Sequence, residues 1–239
     1  MFTLSRFEFG ACAPLRVRHE YVSLGLRSPI RLLYASDLHL GWPWSNPVIP
    51  QLLQAAQIQR PQAIVLGGDL VDRTRGLDPL RHCLARLVAV APVYALAGNH
   101  DHRFGNEAVR SIVESAGGVW LSVDRHAAPI RLGAELSLGA TVQTHPTPGV
   151  HQVLCGHDPA VYRAAREAGY RVVLAGHLHG GQCVLATYRG RLYPGAWFAR
   201  WTGLRFQDGD TTMLVSRGAA DSLPVRWNCP REVIVCEIV

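Results

Sequence analysis

Aspartate, asparagine and histidine recur in five short segments of this 239-residue chain, and these side chains bind divalent metal ions. The segments are YASDLHLG (34–41), VLGGDLVDR (65–73), YALAGNHD (94–101), VLCGHDP (153–159) and VVLAGHLHGG (172–181). Seven residues in them are candidate ligands: Asp37, His39, Asp69, Asn99, His157, His177 and His179. These oxygen and nitrogen donors suit transition metals, and they suffice for two ions if one carboxylate is shared. Two ions roughly 3.5–4 Å apart generate hydroxide and bind both oxygens of an in-line displacement at phosphorus.

Each segment by itself also has a structural explanation that involves no metal. Asp-x-His can be a loop aspartate that caps a helix, Gly-Gly-Asp a turn, and Gly-His-Asp-Pro the start of a helix. His-x-His within a strand would only place two imidazoles on one face. The metal interpretation rests on the five segments occurring together and in this order. We interpret His145 and His151, which have no partner motif, as ordinary loop or strand residues.

Every segment overlaps the end of a short apolar run that is typical of a buried strand. The runs cover residues 30–36, 62–67, 93–97, 153–155 and 172–175. Helical patterns at 46–60, 78–88, 106–116 and 158–169 lie between several of them, which predicts β-α-β units with parallel strands. Loops at the carboxyl ends of parallel strands converge on one crevice, so side chains far apart in sequence meet there. Glycines beside the polar residues, such as Gly98 and Gly176, permit close backbone approach.

The remaining strands follow one another with turns between them, which indicates a mixed α/β sandwich. They are predicted at 130–132, 135–139, 183–187, 211–216 and 233–238, with edge strands at 7–9 and 17–23. We expect residues 188–210 to be irregular. No repeat, low-complexity tract or linker divides the chain, so we expect one domain over 1–239.

Composition excludes some classes of protein. The chain is 48% hydrophobic with a mean hydropathy near zero, and no apolar run approaches the roughly 20 residues of a membrane-spanning helix. The N-terminal residues lack the apolar core of a signal peptide, so we expect a cytoplasmic protein. Its six cysteines are scattered without a Cys-x-x-Cys pair, which favours reduced, mostly buried thiols over a zinc site.

The charge is distinctive because all 24 basic residues are arginine, for a formal net charge of +6. Codon usage explains the absence of lysine without any mechanism. An anionic substrate or surface is the functional alternative, since guanidinium groups bind phosphate in a bidentate way.

With the five segments in this order, the sequence resembles the calcineurin-like metallophosphoesterases, whose signature is Asp-x-His, Gly-Asp, Gly-Asn-His-Asp/Glu, Gly-His and Gly-His-x-His. The resemblance implies an α/β fold, a four-layer αββα sandwich with a dimetal site on loops at the carboxyl ends of strands. One metal would take Asp37, His39 and His179. The other would take Asn99, His157 and His177, with Asp69 bridging the two.

The resemblance also implies roles for three residues that are not metal ligands. His100 would act as a general acid or as a donor to the phosphate, and Asp101 would orient it. The alternative for Asp101 is a helix N-cap. Arg73 would contact the substrate phosphate, and its alternative is a solvated loop arginine. Manganese is the first expectation for the metal, with Fe, Zn, Co or Ni as alternatives that this ligand set accepts.

Two further segments are similar to one bacterial branch of the family, which includes general phosphodiesterases and UDP-2,3-diacylglucosamine hydrolases of lipid A synthesis. They are GHLHGGQ (176–182) and LVSRGAADSLPVRWNCPREV (214–233). The branch implies a phosphorylated small-molecule or lipid substrate.

Residues 188–210 interleave arginine with aromatic residues, which suits peripheral contact with the inner face of a membrane. Burial of these aromatics on the sandwich is the alternative. A nuclease and a catalytically silent metal-binding scaffold also remain open. Nucleic acid is not favoured as a partner, since the sequence shows no extra basic domain or groove-binding motif.

Overall fold

The computed structural model of the chain describes residues 6–124, 128–143 and 149–239. Two mixed six-stranded β-sheets and two short ribbons form its framework. The strands are β1 (Phe7–Phe9), β2 (Arg16–Val22), β3 (Ile30–Ala35), β4 (Ala63–Leu66), β5 (Val93–Ala95), β6 (Val119–Trp120), β7 (Ile130–Leu132), β8 (Leu136–Gly139), β9 (His151–Cys155), β10 (Val172–Ala175), β11 (Val184–Tyr188), β12 (Arg191–Pro194), β13 (Arg205–Asp208), β14 (Thr211–Val215), β15 (Val225–Trp227) and β16 (Glu232–Ile238). The helices are α1 (Val48–Gln59), α2 (Leu77–Leu87), α3 (Asn99–Phe104), α4 (Asn106–Ser115), α5 (Tyr162–Glu167) and α6 (Gly195–Phe198).

The first sheet has the strand order β2-β16-β3-β4-β5-β6. Its strands β3 to β6 are parallel, since helices α1, α2 and the α3–α4 pair connect them one after another. Strand β16 pairs antiparallel with β3 and parallel with β2. The carboxyl ends of β3, β4 and β5 therefore lie at one edge of this sheet.

The second sheet has the strand order β13-β14-β10-β9-β8-β7. Its four central strands are parallel, and the two edge strands, β13 and β7, pair antiparallel with their neighbours. A 3-10 turn and α5 connect β9 to β10, so the carboxyl ends of these two strands also lie side by side.

Side chains that alternate along one strand belong to different layers of the core. In β3, Leu32 and Tyr34 face the second sheet, whereas Leu33 and Ala35 belong to the core that the outer helices cover. In β10, Leu174 lies between the sheets, and its neighbour Val173 packs in the cluster around α5. Helices thus cover both outer faces, which confirms the predicted αββα sandwich.

Residues 188–210 are more regular than the sequence indicated. They contain the end of ribbon β11–β12, helix α6 and strand β13, which pairs with β14 across a turn at Gly209. The prediction of an irregular segment was wrong because β13 carries polar residues at three of its four positions, which hides the apolar run typical of a buried strand. Residues 7–9 do form a strand, but it pairs with β15 in a separate ribbon instead of extending a large sheet.

The remaining sequence-based expectations concern the cysteines, two histidines and membrane-spanning helices. All six cysteines are free thiols, and Cys83, Cys155, Cys229 and Cys236 are buried. His151 begins β9, whereas His145 lies outside the described residues. Among the described residues, every helix is too short or too polar to span a bilayer.

Candidate metal centre

The seven candidate ligands lie just after β3, β4, β5, β9 and β10, six of them in the connecting segments and Asn99 at the first residue of α3. Their donor atoms converge in groups within 4.8 Å of one another: Asp37 with His39 and His179, and Asp69 with His157 and His177. Asn99 joins the second group, because its Oδ1 lies 3.1 Å from His157 Nε2. The two sheets thus bring all the predicted ligands to one cleft at their shared edge.

The backbone of the cleft is locally strained. Positive φ angles, which L-residues with side chains rarely adopt, occur at five of the seven candidate ligands: Asp37, His39, Asp69, His177 and His179. Each costs on the order of 1 kcal/mol or more and persists only where surrounding contacts fix it. Backbone hydrogen bonds supply such contacts, since the amides of Asp37 and His39 donate to the carbonyls of Gly68 and Asp69 at 2.9 Å each.

Glycine is required at two contacts between these loops. A Cβ on Gly98 would lie 2.1 Å from Asp69 Oδ1 and 2.3 Å from the Asp69 amide nitrogen. A Cβ on Gly176 would lie 2.6 Å from Asp37 Oδ2. Close approach is expected at both positions from the sequence, and the structure shows that the neighbours approached are the two candidate carboxylate ligands.

The Nε2 atoms of His39 and His179 face each other. The Nδ1 atom of His39 lies 2.8 Å from Asp72 Oδ1, and that of His179 lies 2.9 Å from Asp221 Oδ1. Because a carboxylate only accepts hydrogen bonds, it favours a proton on Nδ1 of each neutral ring. The two Nε2 atoms, 3.1 Å apart, then both present electron pairs to the same space. A cation between them would satisfy both atoms.

His157 is arranged in the same way. Its Nδ1 donates to the carbonyl of Gly67 at 2.8 Å, so Nε2 faces Asn99 Oδ1 at 3.1 Å and Asp69 Oδ2 at 3.2 Å. Burial alone would lower the pKa of His157, but the hydrogen bond and charge of Asp69, together with Asp37, raise it to about 9. Burial likewise opposes the charge of Asp69, yet His157 holds the pKa of that carboxyl at about 2. A positive charge is thus strongly favoured at this position.

The buried, converging acceptors fit a divalent metal site. Asp37 is fully buried and Asp69 nearly so, and uncompensated carboxylates are costly in such surroundings. The donors are carboxylate oxygens, an amide oxygen and imidazole nitrogens without thiolate, as divalent transition metals prefer. We describe the cleft from here on as the metal centre.

His100 lies beside this centre, but the residue that orients it is not the one expected from the sequence. Its Nδ1 is 2.9 Å from Asp72 Oδ1, the oxygen that also contacts His39. Asp101 instead accepts hydrogen bonds from the backbone amides of Gly98, Leu70 and Val71. The prediction that Asp101 orients His100 was therefore wrong. Asp101 is not the N-cap of α3 either, because Gly98 holds that position, but from the third residue of the helix its carboxylate accepts from the Gly98 amide, as in a capping box.

Asp72 is a carboxylate whose negative charge the surrounding side chains favour. Burial opposes its charge, but hydrogen bonds from His100 and His39 keep the pKa of this carboxyl far below its usual value. Its second oxygen accepts from the indole nitrogen of Trp42 at 2.8 Å. Asp72 stands in the segment VLGGDLVDR, so the sequence contained a signal that our interpretation did not use.

Arg73, the predicted substrate contact, lies at the rim of the centre. Its guanidinium stacks 3.4 Å from the centroid of the Trp42 ring, and it borders an open cavity of about 470 Å³ next to Asp72. Trp42 in turn stacks on Trp44, with ring centroids 4.6 Å apart. The arginine is thus held by a cation–π contact at an exposed position next to the residue that contacts His100.

A second buried carboxylate, Asp221, was not among the candidates from the sequence either. It accepts from Arg226 Nε at 2.8 Å and Nη2 at 2.7 Å, and both residues are almost completely buried. Arg226 Nη2 also lies 3.2 Å from His179 Nδ1, but this nitrogen already donates to Asp221, so Asp221 remains the acceptor for the imidazole. Both residues lie in the segment 214–233, whose sequence gives no hint that it reaches the centre.

Comparison with known proteins identifies similar chains. A family model described as calcineurin-like phosphoesterase matches residues 30–181, more than half of the chain. The phosphodiesterase YaeI of Escherichia coli is 25% identical over 89% of this chain and 83% of its own length. The uncharacterized metallophosphoesterase YkoQ of Bacillus subtilis is 29% identical over 66% of this chain and 64% of its own length. The crystal structure of TT1561 of Thermus thermophilus shares the fold, with a TM-score of 0.51 and 9% identity over 80% of this chain and 91% of that one.

The contact between Asp221 and His179 yields a prediction about metal affinity. We expect Asp221→Asn to weaken divalent-ion binding by about 10- to 100-fold, because the neutral amide no longer favours the tautomer with a free Nε2. Calorimetric titration with Mn²⁺ measures the loss. Asp210→Asn, at a carboxylate whose side chain is 80% exposed, is the matched control. Wild-type affinity in a folded Asp221→Asn protein would contradict the role.

The raised pKa of His157 predicts that metal and proton compete. The neutral ring binds a cation, so we expect the apparent Mn²⁺ affinity to rise with pH up to about 9 and then to level off. The rise is at most about tenfold per pH unit for each proton displaced. Calorimetry in two buffers of different ionisation enthalpy measures proton release at neutral pH. An affinity that is independent of pH, with no proton release, would exclude this competition.

Proposed function

Because this chain belongs to the calcineurin-like phosphoesterase family, we propose that it holds two divalent cations and uses them to hydrolyse a phosphodiester or pyrophosphate bond. The chain is a metal-dependent phosphoesterase by family. The observation that carries the finer proposal is the convergence of two ligand groups on Asp69. Asp69 Oδ2 lies 3.2 Å from His157 Nε2 on one side and 3.9 Å from His39 Nε2 on the other.

The proposed ligand sets follow from this position of Asp69. One cation would lie among Asp37, His39 and His179, and the other among Asn99, His157 and His177, with Asp69 shared. When bound, the two cations supply a nucleophile at neutral pH and offset the charge that develops on the phosphoryl oxygens. Manganese remains our first choice for these oxygen and nitrogen donors, and Fe, Zn, Co and Ni remain alternatives.

The protein's own contribution to the reaction centres on His100. Asp72 accepts the hydrogen bond of its Nδ1 atom, and the side chain is 30% exposed to the open cleft. Its Nε2 has no hydrogen-bond partner among the described residues, so this atom is available to a substrate oxygen. We assign His100 to donating a hydrogen bond or a proton to the departing oxygen, and Asp72 to holding its ring. His100 also lies within 4.8 Å of donor atoms of His39 and Asp69, so its distinction from a ligand needs a test.

Arg73 would bind the phosphoryl group from the rim. Its guanidinium is fixed over Trp42 and remains exposed, so it can reach a substrate without losing its own packing. Because one guanidinium group can donate to two phosphate oxygens at once, this position suits a diester or pyrophosphate that enters the cleft.

For the substrate, we propose a phosphorylated compound with an acylated part, of which UDP-2,3-diacylglucosamine is the specific candidate. In support, Tyr188, Trp197 and Phe198 are 60%, 74% and 87% exposed, beside the arginines of 188–210. Trp201 and Phe206 instead pack against the core near Tyr162, so only part of the segment is available to lipid. The name of the relative YaeI supports the alternative of a general phosphodiesterase.

The distinction between ligand and general acid predicts two different kinds of inactive variant. We expect His100→Ala to retain the wild-type metal content but to hydrolyse an aryl phosphodiester about 10²- to 10⁴-fold more slowly. We expect Asp69→Ala to lose both hydrolysis and metal, since two ligand groups share its carboxylate. Steady-state kinetics with Mn²⁺ and metal analysis of the purified proteins measure both.

His82→Ala, at an exposed histidine on α2, is the matched control for the first variant. Loss of metal from His100→Ala would make His100 a ligand and overturn its assignment. Full metal occupancy in the wild type without turnover of any phosphoester would favour a silent scaffold.

The proposed substrate class is tested with a panel of soluble and acylated compounds. We expect hydrolysis of UDP-2,3-diacylglucosamine to exceed that of an aryl phosphodiester, a phosphomonoester and single-stranded DNA. Trp197→Ser/Phe198→Ser is expected to reduce only the preference for the acylated compound over the soluble ones, because these side chains lie on the surface. An unchanged preference in this variant would remove the lipid argument. Preferential cleavage of DNA with steep salt dependence would indicate a nuclease instead.

A further inference from the structure

The outer face of the ribbon β1–β15 is an exposed apolar surface. Phe7 pairs across the ribbon with Trp227, and Phe9 pairs with Val225, so all four side chains lie on one face. They are 64%, 44%, 55% and 39% exposed, respectively. The opposite face carries Glu8 and Arg226, which are buried. We call the four apolar residues the ribbon face.

A basic cavity adjoins this face at the end of the ribbon. The cavity, of about 390 Å³, is lined by Arg6, Arg16, Arg217 and Asn228 together with the start of β11. Arg6 and Asn228 directly flank Phe7 and Trp227, and they join the two strands through hydrogen bonds of 2.7 and 2.8 Å. Leu185, which is 69% exposed, lies on its wall. We call this basic cavity the arginine cavity.

The charges around the arginine cavity do not balance. Glu8 contacts Arg6 and Arg231, and Glu232 contacts Arg18 and Arg217, so each of these carboxylates is shared between two arginines.

Arg16 has no carboxylate within ion-pair distance among the described residues, and the segments 1–5, 125–127 and 144–148 contain no Asp or Glu. The cavity wall thus carries an excess of positive charge and attracts an anion.

This combination of surfaces indicates the chemistry of the partner. A second copy of this chain, related by a two-fold axis, would bring the same arginines together and repel itself. An anionic phospholipid surface instead offers phosphate groups to the guanidiniums and an apolar layer to Phe7, Phe9 and Trp227. We propose that the ribbon face and the arginine cavity form a docking surface for an anionic phospholipid bilayer. The proposal does not depend on which substrate the metal centre hydrolyses.

The docking surface adjoins the loop of the metal centre. A Cβ on Gly180 would lie 2.8 Å from Arg217 Cγ, and Gly180 directly follows the candidate ligand His179. Arg226 lies between the ribbon-face residues Val225 and Trp227 in sequence, and it donates a hydrogen bond to Asp221. Asp221 in turn contacts Nδ1 of His179. Docking would therefore hold the His177–His179 loop close to the membrane surface.

Co-sedimentation with vesicles tests the proposal on the metal-loaded 239-residue chain. We expect binding to phosphatidylcholine vesicles that contain phosphatidylglycerol and little binding to phosphatidylcholine alone. Phe7→Ser/Phe9→Ser should weaken binding by on the order of tenfold, since two exposed phenylalanines no longer enter the apolar layer. Arg16→Gln should weaken it about fivefold and reduce its salt sensitivity.

Matched controls are Ile58→Ser, at a side chain that is 65% exposed on α1, and Arg163→Gln, at an arginine whose side chain is 81% exposed on α5. Both should bind vesicles like the wild type. Thermal unfolding and hydrolysis of a soluble aryl phosphodiester check that each variant is folded.

Three results would overturn the docking surface. One is equal binding by wild type and both test variants, and another is equal binding to neutral and anionic vesicles. The third is a wild-type dimer that Phe7→Ser/Phe9→Ser converts to monomer without any vesicle binding, which would make the ribbon face a contact between copies.

Discussion

The convergence of electron-pair donors in one buried cleft is the constraint on which the rest of this structure depends. The Nε2 atoms of His39 and His179 lie 3.1 Å apart, and Nε2 of His157 faces the oxygens of Asn99 and Asp69. Such an arrangement is repulsive unless a cation or a proton lies among the donors. Three acceptors contact the Nδ1 atoms of these imidazoles and so direct each Nε2 toward the other donors: Asp72, Asp221 and the Gly67 carbonyl. Metal binding and protonation are therefore alternative ways to satisfy one site.

This convergence costs backbone strain, and the surroundings offset it. Five candidate ligands adopt positive φ angles in the segments that follow their strands, and hydrogen bonds between neighbouring loops hold them there. Asp101 contributes most clearly, because its carboxylate accepts amide protons from Gly98, Leu70 and Val71 and so joins two ligand-bearing loops. Its burial raises the pKa, whereas the three backbone amides favour the charged form. Asp101, which the resemblance implied would orient His100, thus holds two loops together instead.

The structure also divides the arginines among distinct tasks. Arg226 is buried and neutralises Asp221 behind His179, so it serves the metal centre without meeting substrate. Arg73 is held exposed over Trp42 at the rim of the cleft. Arg16 lines the basic cavity beside the ribbon face. The formal charge of +6 therefore does not act as one field, because each guanidinium has its own neighbours.

The sequence alone predicted a mixed α/β sandwich and the seven candidate ligands at strand ends, because strand periodicity and strand-end loops are local signals. The resemblance to a known family implied the αββα layering and the place of His100 beside the ligands. The sequence did not determine which carboxylate meets which imidazole. Asp101 follows His100 in sequence, yet Asp72 contacts it, since α3 turns the Asp101 side chain toward the loop at Leu70. Asp221 reaches His179 from a segment some forty residues away, which the sequence indicated only as similar to one bacterial branch of the family. The ribbon face likewise exists only because β1 pairs with β15 from the other end of the chain. Contacts between distant segments depend on packing and register, which no local pattern records.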